Sequence, residues 1–402
     1  MARAFLVVID SVGIGGAPDA DQYFNGDVPD TGSNTVGHIA QACANGQAED
    51  GRSGPLHLPN MVSLGLGEAL RLASDDTIQG LEGSVQGRWA VAQEASKGKD
   101  TPSGHWELAG CPVPWDWHYF PVTKPTFPKQ LRDALCRAAG TQDILGDEHA
   151  SGTEVIARLG DEHLRTGYPI CYTSVDSVLQ IAAHEEHFGL ERLLQMCRDV
   201  APMLHDMKVG RVIARPFLGS DGVFTRTANR QDFAVETPAT TLCDWAHADG
   251  RSVHAIGKIK DIFSGRGIDT AVKGDDAALM VAMHEAVADA PDGSLTFANF
   301  VEFDSLFGHR RDVSGYARAL EWIDVELGKL IPLLRADDLL VITADHGNDP
   351  TWVGTDHTRE RVPVLMHGAA QGSAGIVNFV DVAASVATHL GLGQTGTGRS
   401  FL

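Results

Sequence analysis

The stretch Leu339–Gly347 (LLVITADHG) places a short apolar run directly before an aspartate and a histidine. Two other segments repeat this design: the run Ala4–Ile9 is followed by Asp10, and the run Leu295–Phe303 is followed by Asp304. Runs that are apolar at nearly every position are typical of strands buried on both faces, as in parallel sheets covered by helices. The pattern therefore predicts an α/β fold with a mostly parallel sheet between helices.

The acidic residues at the ends of these three runs are expected to meet. In open α/β sheets the ligand crevice lies at the carboxyl ends of the strands, so residues that are distant in sequence share one edge. Further strands of the same sheet are predicted at Arg88–Ala92, Ser252–Ile256 and Val362–His367.

The length of 402 residues is too great for one small core and favours two domains. Residues 119–235 contain 13 basic and 15 acidic residues, whereas the remainder contains 19 and 38. This shift follows a Pro- and Trp-rich stretch, Cys111–Trp117. We therefore predict a core domain formed by residues 1–118 and 236–402, with a smaller second domain inserted at 119–235.

The net charge narrows the class of partner. With 32 basic and 53 acidic residues the formal charge is -21, which argues against a nucleic-acid partner because phosphate backbones require a basic surface. The sequence contains no run of about 18 apolar residues, so no membrane span is predicted. The six cysteines lie far apart without a CxxC pair, which favours reduced thiols and a cytoplasmic location.

Three aspartates and three histidines lie at or soon after the predicted strand ends. They are Asp10, Asp304, His309, Asp345, His346 and His357. Each alone is explained as a turn, cap or surface residue, since Asp is common in turns. Together, a mixed set of six carboxylate and imidazole donors can hold two divalent ions with three protein ligands each, leaving positions for water or phosphate.

A nucleophile is predicted in the segment Lys99–Glu107 (KDTPSGHWE). Thr101 followed by Pro102 is a helix-start signal, with Thr at the N-cap and Pro at the first helical position. A hydroxyl at a helix N-terminus meets unpaired backbone N–H groups, which stabilise a phosphate. Ser103 competes for the role. The local pattern favours Thr101 but leaves both hydroxyls open.

Basic residues that recognise a phosphate group are expected in or next to the inserted segment. Arg215, Arg230 and Lys258 are candidates, because Arg binds phosphate bidentately and Lys binds it as a point charge. Most surface cations are simply solvated, and this explanation stays open for each. Asp176 either accepts the proton of a sugar hydroxyl or caps a helix, and the pattern does not choose.

Five segments resemble the motifs of phosphopentomutases, a family of the alkaline phosphatase superfamily, and the likeness covers nearly the whole chain. The segments are Asp10–Gly15 (DSVGIG), Gly98–Glu107 (GKDTPSGHWE), Phe303–Asp312 (FDSLFGHRRD), Thr343–Pro350 (TADHGNDP) and Thr355–Glu360 (TDHTRE). One departure is Glu302, where the family pattern has Asp, beside a predicted ligand. The resemblance implies an alkaline-phosphatase-like core with a cap domain.

The resemblance also implies two Mn²⁺ ions and assigns residues to them. One ion would be held by Asp304, His309 and His357, and the other by Asp10, Asp345 and His346. Thr101 would be the phosphorylated residue that bridges both ions, in place of Ser103. The positions that match sugar-phosphate contacts in the family are Asp176, Arg215, Arg230 and Lys258.

The implied reaction interconverts ribose 1-phosphate and ribose 5-phosphate, or the 2-deoxyribose pair, through a bisphosphate intermediate, with a sugar bisphosphate as primer. The expected partner is thus a small sugar phosphate rather than a nucleic acid or a membrane. Three alternatives share features of the sequence. A metal-dependent phosphatase or sulfatase would release a free anion, and a cofactor-independent phosphoglycerate mutase would use a Ser nucleophile. The third alternative is a non-catalytic metal-binding or scaffold protein, which is disfavoured because no predicted ligand is missing.

Overall fold

The computed structural model describes residues 1–74, 78–174 and 176–402, and the chain divides into two compact units. Unit 1 comprises Met1–Pro114 and Thr237–Leu402, and unit 2 comprises Trp115–Glu236. Unit 1 is therefore discontinuous in sequence, and unit 2 is the intervening segment.

Unit 2 begins at Trp115, whereas the sequence predicted a boundary at residue 119, and it ends one residue later than the predicted 235. The Trp115 and Trp117 rings pack edge to face with centroids 5.7 Å apart. The Lys208 ammonium lies 4.6 Å from the centroid of the Trp115 ring. These contacts place the tryptophans with unit 2, because aromatic side chains contribute large packing areas that charge balance does not reveal.

Strands and helices are numbered in chain order over both units. The strands are β1 (Ala4–Ile9), β2 (Phe24–Asn25), β3 (Val28–Pro29), β4 (Arg88–Gln93), β5 (Leu145–His149), β6 (Ile170–Thr173), β7 (Val178–His184), β8 (Arg211–Ser220), β9 (Val223–Arg226), β10 (Gln231–Ala234), β11 (Val253–Ile256), β12 (Thr270–Val272), β13 (Leu295–Phe300), β14 (Leu339–Thr343), β15 (Val362–His367) and β16 (Gly372–Asn378). The α-helices are α1 (Thr35–Ala44), α2 (Pro59–Leu64), α3 (Leu66–Ser74), α4 (Thr101–Leu108), α5 (Lys129–Ala139), α6 (Gly152–Thr166), α7 (Leu190–Asp206), α8 (Leu242–Ala248), α9 (Ile259–Ile262), α10 (Asp276–Asp289), α11 (Val313–Leu330) and α12 (Phe379–Leu390).

Unit 1 is built on an eight-stranded sheet in the order β12-β11-β13-β1-β14-β15-β4-β16. Strand β15 is antiparallel to both of its neighbours, while the pairs at β1, β11 and β16 are parallel. Every residue of β1, β13 and β14 is buried. Because successive side chains point to opposite faces, complete burial means that both faces of these strands are covered. The predicted α/β fold with a mostly parallel sheet is confirmed.

Strand β1 lies between β13 and β14, and their registers align the three strand ends. Ile9 pairs with Phe300 on one side, and Val8 pairs with Thr343 on the other. The residues that follow each strand therefore leave the sheet at the same edge, as expected for adjacent parallel strands.

Strand β13 is shorter than predicted, since it ends at Phe300 and not at Phe303. The buried Asp276 carboxylate at the start of α10 accepts a hydrogen bond from the Glu302 backbone N–H, at 3.2 Å. The chain then forms a π-helical turn over Phe303–Gly308. The Asp276 side chain thus takes the place of a neighbouring strand as hydrogen-bond acceptor, and Asp304 lies in the turn that follows β13.

Unit 2 contains a six-stranded mixed sheet in the order β10-β8-β7-β6-β5, with β9 paired to β8. Helices α5 and α7 contribute Leu131, Leu135 and Val200 to its larger apolar core. Helix α6 contributes Val155 and Ile156 to a second cluster. Unit 2 therefore has a hydrophobic core of its own.

Two global features bear on the predictions from composition. Within the described ranges, no helix combines the length and apolar character that crossing a bilayer requires. All six cysteines are free, and five of them are buried. The cytoplasmic location stays a prediction.

Candidate functional site

Three aspartates stand together where adjacent strands of unit 1 end. Asp10 directly follows β1, Asp345 lies two residues after β14, and Asp304 lies in the turn after β13. Asp10 and Asp345 have no exposed surface, and Asp304 is 6% exposed. The sheet therefore brings three carboxylates into a buried edge, as the strand pattern predicted.

The first donor group consists of Asp304, His309 and His357, whose ligand atoms all lie within 4.8 Å of one another. His309 Nε2 is 3.1 Å from Asp304 Oδ2, and His357 Nε2 is 3.4 Å from Asp304 Oδ1. These are the three residues that the resemblance assigns to one ion.

The second donor group consists of Asp10, Asp304 and His346, again within 4.8 Å of one another. His346 Nε2 is 3.7 Å from Asp10 Oδ1 and 3.2 Å from Asp345 Oδ2. The sequence prediction grouped Asp345 with Asp10 and His346. In the structure Asp345 borders the second donor group, and Asp304 is shared by both groups because its turn crosses the sheet edge.

The site has the chemical character of a divalent-metal centre. Within the described part of the chain, the buried atoms Asp10 Oδ1, Asp345 Oδ2 and His357 Nε2 make no hydrogen bond of ordinary geometry, although each lies close to an ionisable neighbour. Buried polar atoms normally find partners, and buried charge is costly unless it is paired or coordinates a metal. A set of carboxylate and imidazole donors suits divalent transition metals. These residues therefore fit bound cations.

Burial and neighbouring charges shift the pKa values of the aspartates. Burial, followed by the neighbouring Asp345 and Asp304 carboxylates, raises the pKa of Asp10 to about 7. Burial also opposes ionisation of Asp304, but His357 and His309 hold the pKa of that carboxyl well below its ordinary value. The three carboxylates thus depend on nearby positive charge.

Neighbouring carboxylates raise the pKa of two histidines in the site. Burial disfavours the charged form of His346, yet the Asp345 carboxylate outweighs it and raises the pKa of the imidazole to about 9. For His357 burial is likewise outweighed by Asp304, which raises its pKa to about 9. Both imidazoles therefore carry a proton at neutral pH when no metal is bound.

Contacts behind the donors fix their orientation. Ser11 has a left-handed backbone with φ 67°, and its N–H donates to Asp345 Oδ1 at 3.1 Å. His309 Nδ1 lies 2.6 Å from the Thr355 carbonyl oxygen, to which it donates, so that Nε2 is left to face Asp304. Such outer contacts orient metal ligands and select their tautomers.

Arg311 joins the two loops that carry the histidines of the first donor group. Its guanidinium donates to the carbonyl oxygens of Gly308, Gly354 and Asp356, at 2.9, 2.8 and 2.9 Å. It also donates to the amide oxygen of Asn348. The Asn348 amide nitrogen in turn donates to Oδ1 of the shared aspartate at 2.7 Å. One side chain therefore links both loops to a ligand carboxylate.

Arg359 performs a similar task for the segment that precedes α4. It is 2% exposed, and it forms ion pairs with Asp19 and Glu94. It also donates to the carbonyl oxygens of Glu94, at 2.9 Å, and Gly98, at 2.5 Å. These bonds fix the backbone three residues before Thr101.

Sequence reasoning missed Arg311, Asn348 and Arg359. A signal was present, since each stands two residues after a predicted histidine ligand. Residue type alone gives no reason to bury an arginine in a polar loop. Only the folded loops show that backbone carbonyls of several segments converge on one guanidinium, which offers five N–H donors.

Helix α4 begins at Thr101, and its N-cap is Asp100 and not Thr101 as predicted. The Asp100 carboxylate accepts hydrogen bonds from the Ser103 N–H at 3.1 Å and the Ser103 hydroxyl at 3.0 Å. The Thr101 hydroxyl is half-buried and lies 3.4 Å from His346 Nε2. Of the two hydroxyls left open by the sequence, Thr101 is the one beside the donor groups.

In unit 2, Arg215 lies half-buried on β8. Its Nε donates to Gln180 Oε1 at 3.0 Å, and the Tyr172 hydroxyl donates to the same oxygen at 3.2 Å. Burial, together with Arg230 and Arg226, lowers the pKa of Arg215 from its ordinary value. This guanidinium is a partly desolvated cation whose hydrogen bond goes to a neutral amide, an arrangement that favours an added anion.

The other predicted sugar-phosphate residues have different surroundings. Arg230 donates two hydrogen bonds to Asp232, at 2.7 and 2.6 Å. Asp176 lies 3.8 Å from Arg211 and precedes strand β7, so the helix-cap explanation is wrong. Lys258, in unit 1, is exposed and directly precedes α9, at the sheet edge where β11 ends.

Comparison with known proteins gives full-length matches. The chain matches the model of the metalloenzyme superfamily over residues 2–394. It is 54% identical to a phosphopentomutase from Rhizobium meliloti (strain 1021) and 52% identical to one from Agrobacterium fabrum (strain C58), with 100% of both chains covered in each case. A solved protein structure from Pyrococcus horikoshii matches with a TM-score of 0.47 and 11% identity, over 97% of each chain.

The elevated histidine pKa values predict proton release on metal binding. At pH 7, Mn²⁺ added to the chelator-treated protein should displace protons from His346 and His357, because only neutral imidazole donates to a metal. The pKa of each imidazole is about 9. The apparent affinity for Mn²⁺ should therefore rise between pH 7 and pH 9, by up to about tenfold per pH unit for each imidazole, and then level off. Titration in weakly buffered solution with an indicator dye measures the release.

A matched control is His247→Ala, which removes an exposed imidazole on α8 and should leave the release unchanged. Metal binding without proton release at pH 7 would show that the two imidazoles are already neutral, contrary to this electrostatic account.

Proposed function

Because this chain belongs to the phosphopentomutase family, we propose that it interconverts ribose 1-phosphate and ribose 5-phosphate, and the 2-deoxyribose pair, through a phosphorylated Thr101. The family makes the chain an isomerase, an intramolecular phosphotransferase. The observation that carries the proposal is the position of the Thr101 hydroxyl, at the first residue of α4 and 3.4 Å from His346 Nε2.

The environment of Thr101 suits a residue that carries a phosphoryl group. The first N–H groups of an α-helix have no partner within the helix, and the positive end of its dipole favours an anion. Ser103 lacks this freedom, since it is fully buried and its hydroxyl donates to Asp100. Phosphate on Thr101 would meet both the helix end and the donor groups.

Two Mn²⁺ ions complete the proposed site. The first would be held by Asp304, His309 and His357, and the second by Asp10, Asp345 and His346. When bound, such ions neutralise phosphoryl charge and favour the ionised hydroxyl as a nucleophile. The protein's own contribution is to hold the hydroxyl, the helix end and the donors in one fixed arrangement, which matters because phosphoryl transfer depends mainly on positioning and electrostatic stabilisation.

The proposed cycle keeps the phosphoryl group on the enzyme or the sugar throughout. The Oγ–P bond of phosphorylated Thr101 breaks as the 5-hydroxyl oxygen of ribose 1-phosphate bonds to phosphorus, and the hydroxyl proton ends on Thr101 Oγ. Ribose 1,5-bisphosphate then reorients. Thr101 Oγ takes the 1-phosphoryl group, the proton returns to O1, and ribose 5-phosphate leaves. A chain without phosphate on Thr101 would need a sugar bisphosphate to prime it.

Four residues are proposed to contact the sugar phosphate. Arg215 supplies a partly desolvated cation that a phosphate would pair with bidentately. Arg230 and Lys258 would add positive charge, and Asp176 would accept a hydrogen bond from a sugar hydroxyl. The alternative function is hydrolysis by the same donor set, in which water replaces the sugar hydroxyl as acceptor.

An assay that follows isomer and free phosphate together separates the two functions. With ribose 1-phosphate, Mn²⁺ and a catalytic amount of ribose 1,5-bisphosphate, the mutase should yield ribose 5-phosphate with little inorganic phosphate. Release of phosphate in proportion to substrate consumed would contradict the mutase and establish a hydrolase. The same assay without primer should show a lag or a lower rate.

Replacement of the proposed nucleophile is the direct test of Thr101. Thr101→Ala should lower kcat by at least about three orders of magnitude, because no oxygen remains to carry the phosphoryl group. Mass spectrometry of the primed protein should show the added phosphate on the Thr101 peptide of the wild type and no phosphate on the corresponding peptide of Thr101→Ala. The matched variant Ser103→Ala should stay phosphorylated on Thr101. Label on Ser103, or near-normal activity of Thr101→Ala, would overturn the assignment.

Arg215 is tested through the kinetics of the sugar phosphate. Arg215→Ala should lower kcat/KM about 10- to 100-fold, since a hydrogen bond to a charged group is worth about 1.5–3 kcal/mol. Arg215→Lys should recover part of the loss, and metal content should stay normal in both. Arg165→Ala, an exposed arginine on α6, is the control. Kinetics unchanged from wild type would remove Arg215 from the substrate contacts.

A further inference from the structure

Unit 1 contains a buried chain of polar groups behind Thr101 that the proposed reaction leaves unexplained. His105 lies one helical turn after Thr101 on α4 and has no exposed surface. Its ring stacks against Phe297 of β13, with centroids 6.2 Å apart and planes 24° apart. Asn299, on the same strand, is also fully buried. A histidine and an asparagine in an apolar layer require partners.

The two ring nitrogens of His105 have different neighbours. Its Nδ1 is 2.9 Å from the Thr101 carbonyl oxygen and 3.0 Å from Asp345 Oδ2. Its Nε2 is 3.1 Å from Asn299 Nδ2. Two oxygens face Nδ1, so that nitrogen carries the hydrogen, and Nε2 accepts from the asparagine. The neighbours thus place the hydrogen on Nδ1 and leave Nε2 as the acceptor.

Asn299 extends the chain to a second carboxylate. Its Nδ2 also donates to Asp10 Oδ2 at 2.8 Å. Rotating the amide by half a turn would place its oxygen against that carboxylate, so Asp10 fixes the amide orientation. One amide nitrogen has two hydrogens, and both are used, one toward Asp10 and one toward His105.

The geometry points to His105 and Asn299 as positioning residues that couple Thr101 to Asp10 and Asp345. We propose that this pair, the His105–Asn299 relay, holds the start of α4 in register with the two carboxylates, so that hydroxyl and metal are aligned when a cation binds. The inference rests on the proposed function, because it assigns both carboxylates to a metal. Neither residue contacts the reacting atoms.

Packing alone does not account for the relay. Asn299 Oδ1 accepts no hydrogen bond within the described ranges, so only the amide nitrogen forms hydrogen bonds. The neighbouring Trp106 already anchors α4, since its indole N–H donates to the Ile262 carbonyl at 2.9 Å. An apolar residue at position 299 would fill the same layer without an unpartnered oxygen. What it would lose are the two hydrogen bonds from Asn299 Nδ2, to Asp10 and to His105.

The test compares Asn299→Leu and His105→Ala with wild type by Mn²⁺ titration, with free Mn²⁺ read by electron paramagnetic resonance. Each variant should weaken one of two binding events about 10- to 100-fold and leave the other intact, as is typical when an outer contact of a metal ligand is lost. The double variant should be no weaker than either single one, because both break the same relay. His105→Asn should recover part of the affinity, since its amide nitrogen can replace Nδ1.

Controls separate this role from a structural one. His254→Ala removes a histidine on β11 whose Nδ1 contacts Thr270, and it should bind two ions normally. The metal-free relay variants should keep the melting temperature of the metal-free wild type within a few degrees. Variants that unfold without metal, additive losses in the double variant, or two unchanged affinities would each overturn the relay. A wild type that binds two ions but hydrolyses the sugar phosphate would contradict the proposed function and leave the relay to be judged by the affinities.

Discussion

The cost of burying three carboxylates at one sheet edge is the constraint on which the rest of the site depends. The register of adjacent strands places Asp10 and Asp345 at this edge, and the turn after β13 adds Asp304. Like charges this close raise the pKa of Asp10 to about 7 after burial has already favoured its neutral form. Histidines supply part of the compensating charge, and bound cations would supply the remainder.

Loops that carry donors must be held in place, since an ordered loop loses conformational entropy on folding. Arg311 and Arg359 do this with guanidinium groups that bind backbone carbonyls from several segments at once. The same device serves the two sides of the site: one arginine fixes the histidine loops, and the other fixes the approach to Thr101. The protein's own hydrogen bonds therefore hold the donor loops, and a fixed arrangement of this kind favours electrostatic catalysis.

The two units differ in the charge that they present. Residues outside 119–235 carry 38 of the 53 acidic residues, whereas 119–235 is nearly neutral. Within unit 2, Arg215 donates a hydrogen bond to a neutral amide. Burial and neighbouring arginines lower the pKa of Arg215 from its ordinary value. The proposed cation site thus lies among acidic residues of unit 1, and Arg215 of unit 2 is proposed to bind the phosphate. Net charge of the whole chain conceals this division.

The sequence by itself determined the fold class and the ends of the strands before Asp10 and Asp345, because apolar runs report burial directly and strand polarity follows from the α/β pattern. The assignment of the six donor residues to metal ions stays a prediction. Tertiary structure alone decided that Asp304 belongs to both donor groups and that Asp100 caps α4. It also decided which hydroxyl, Thr101 or Ser103, stands beside the donors. The distances between these atoms depend on strand register and helix geometry, and a sequence pattern does not give distances between segments that are hundreds of residues apart.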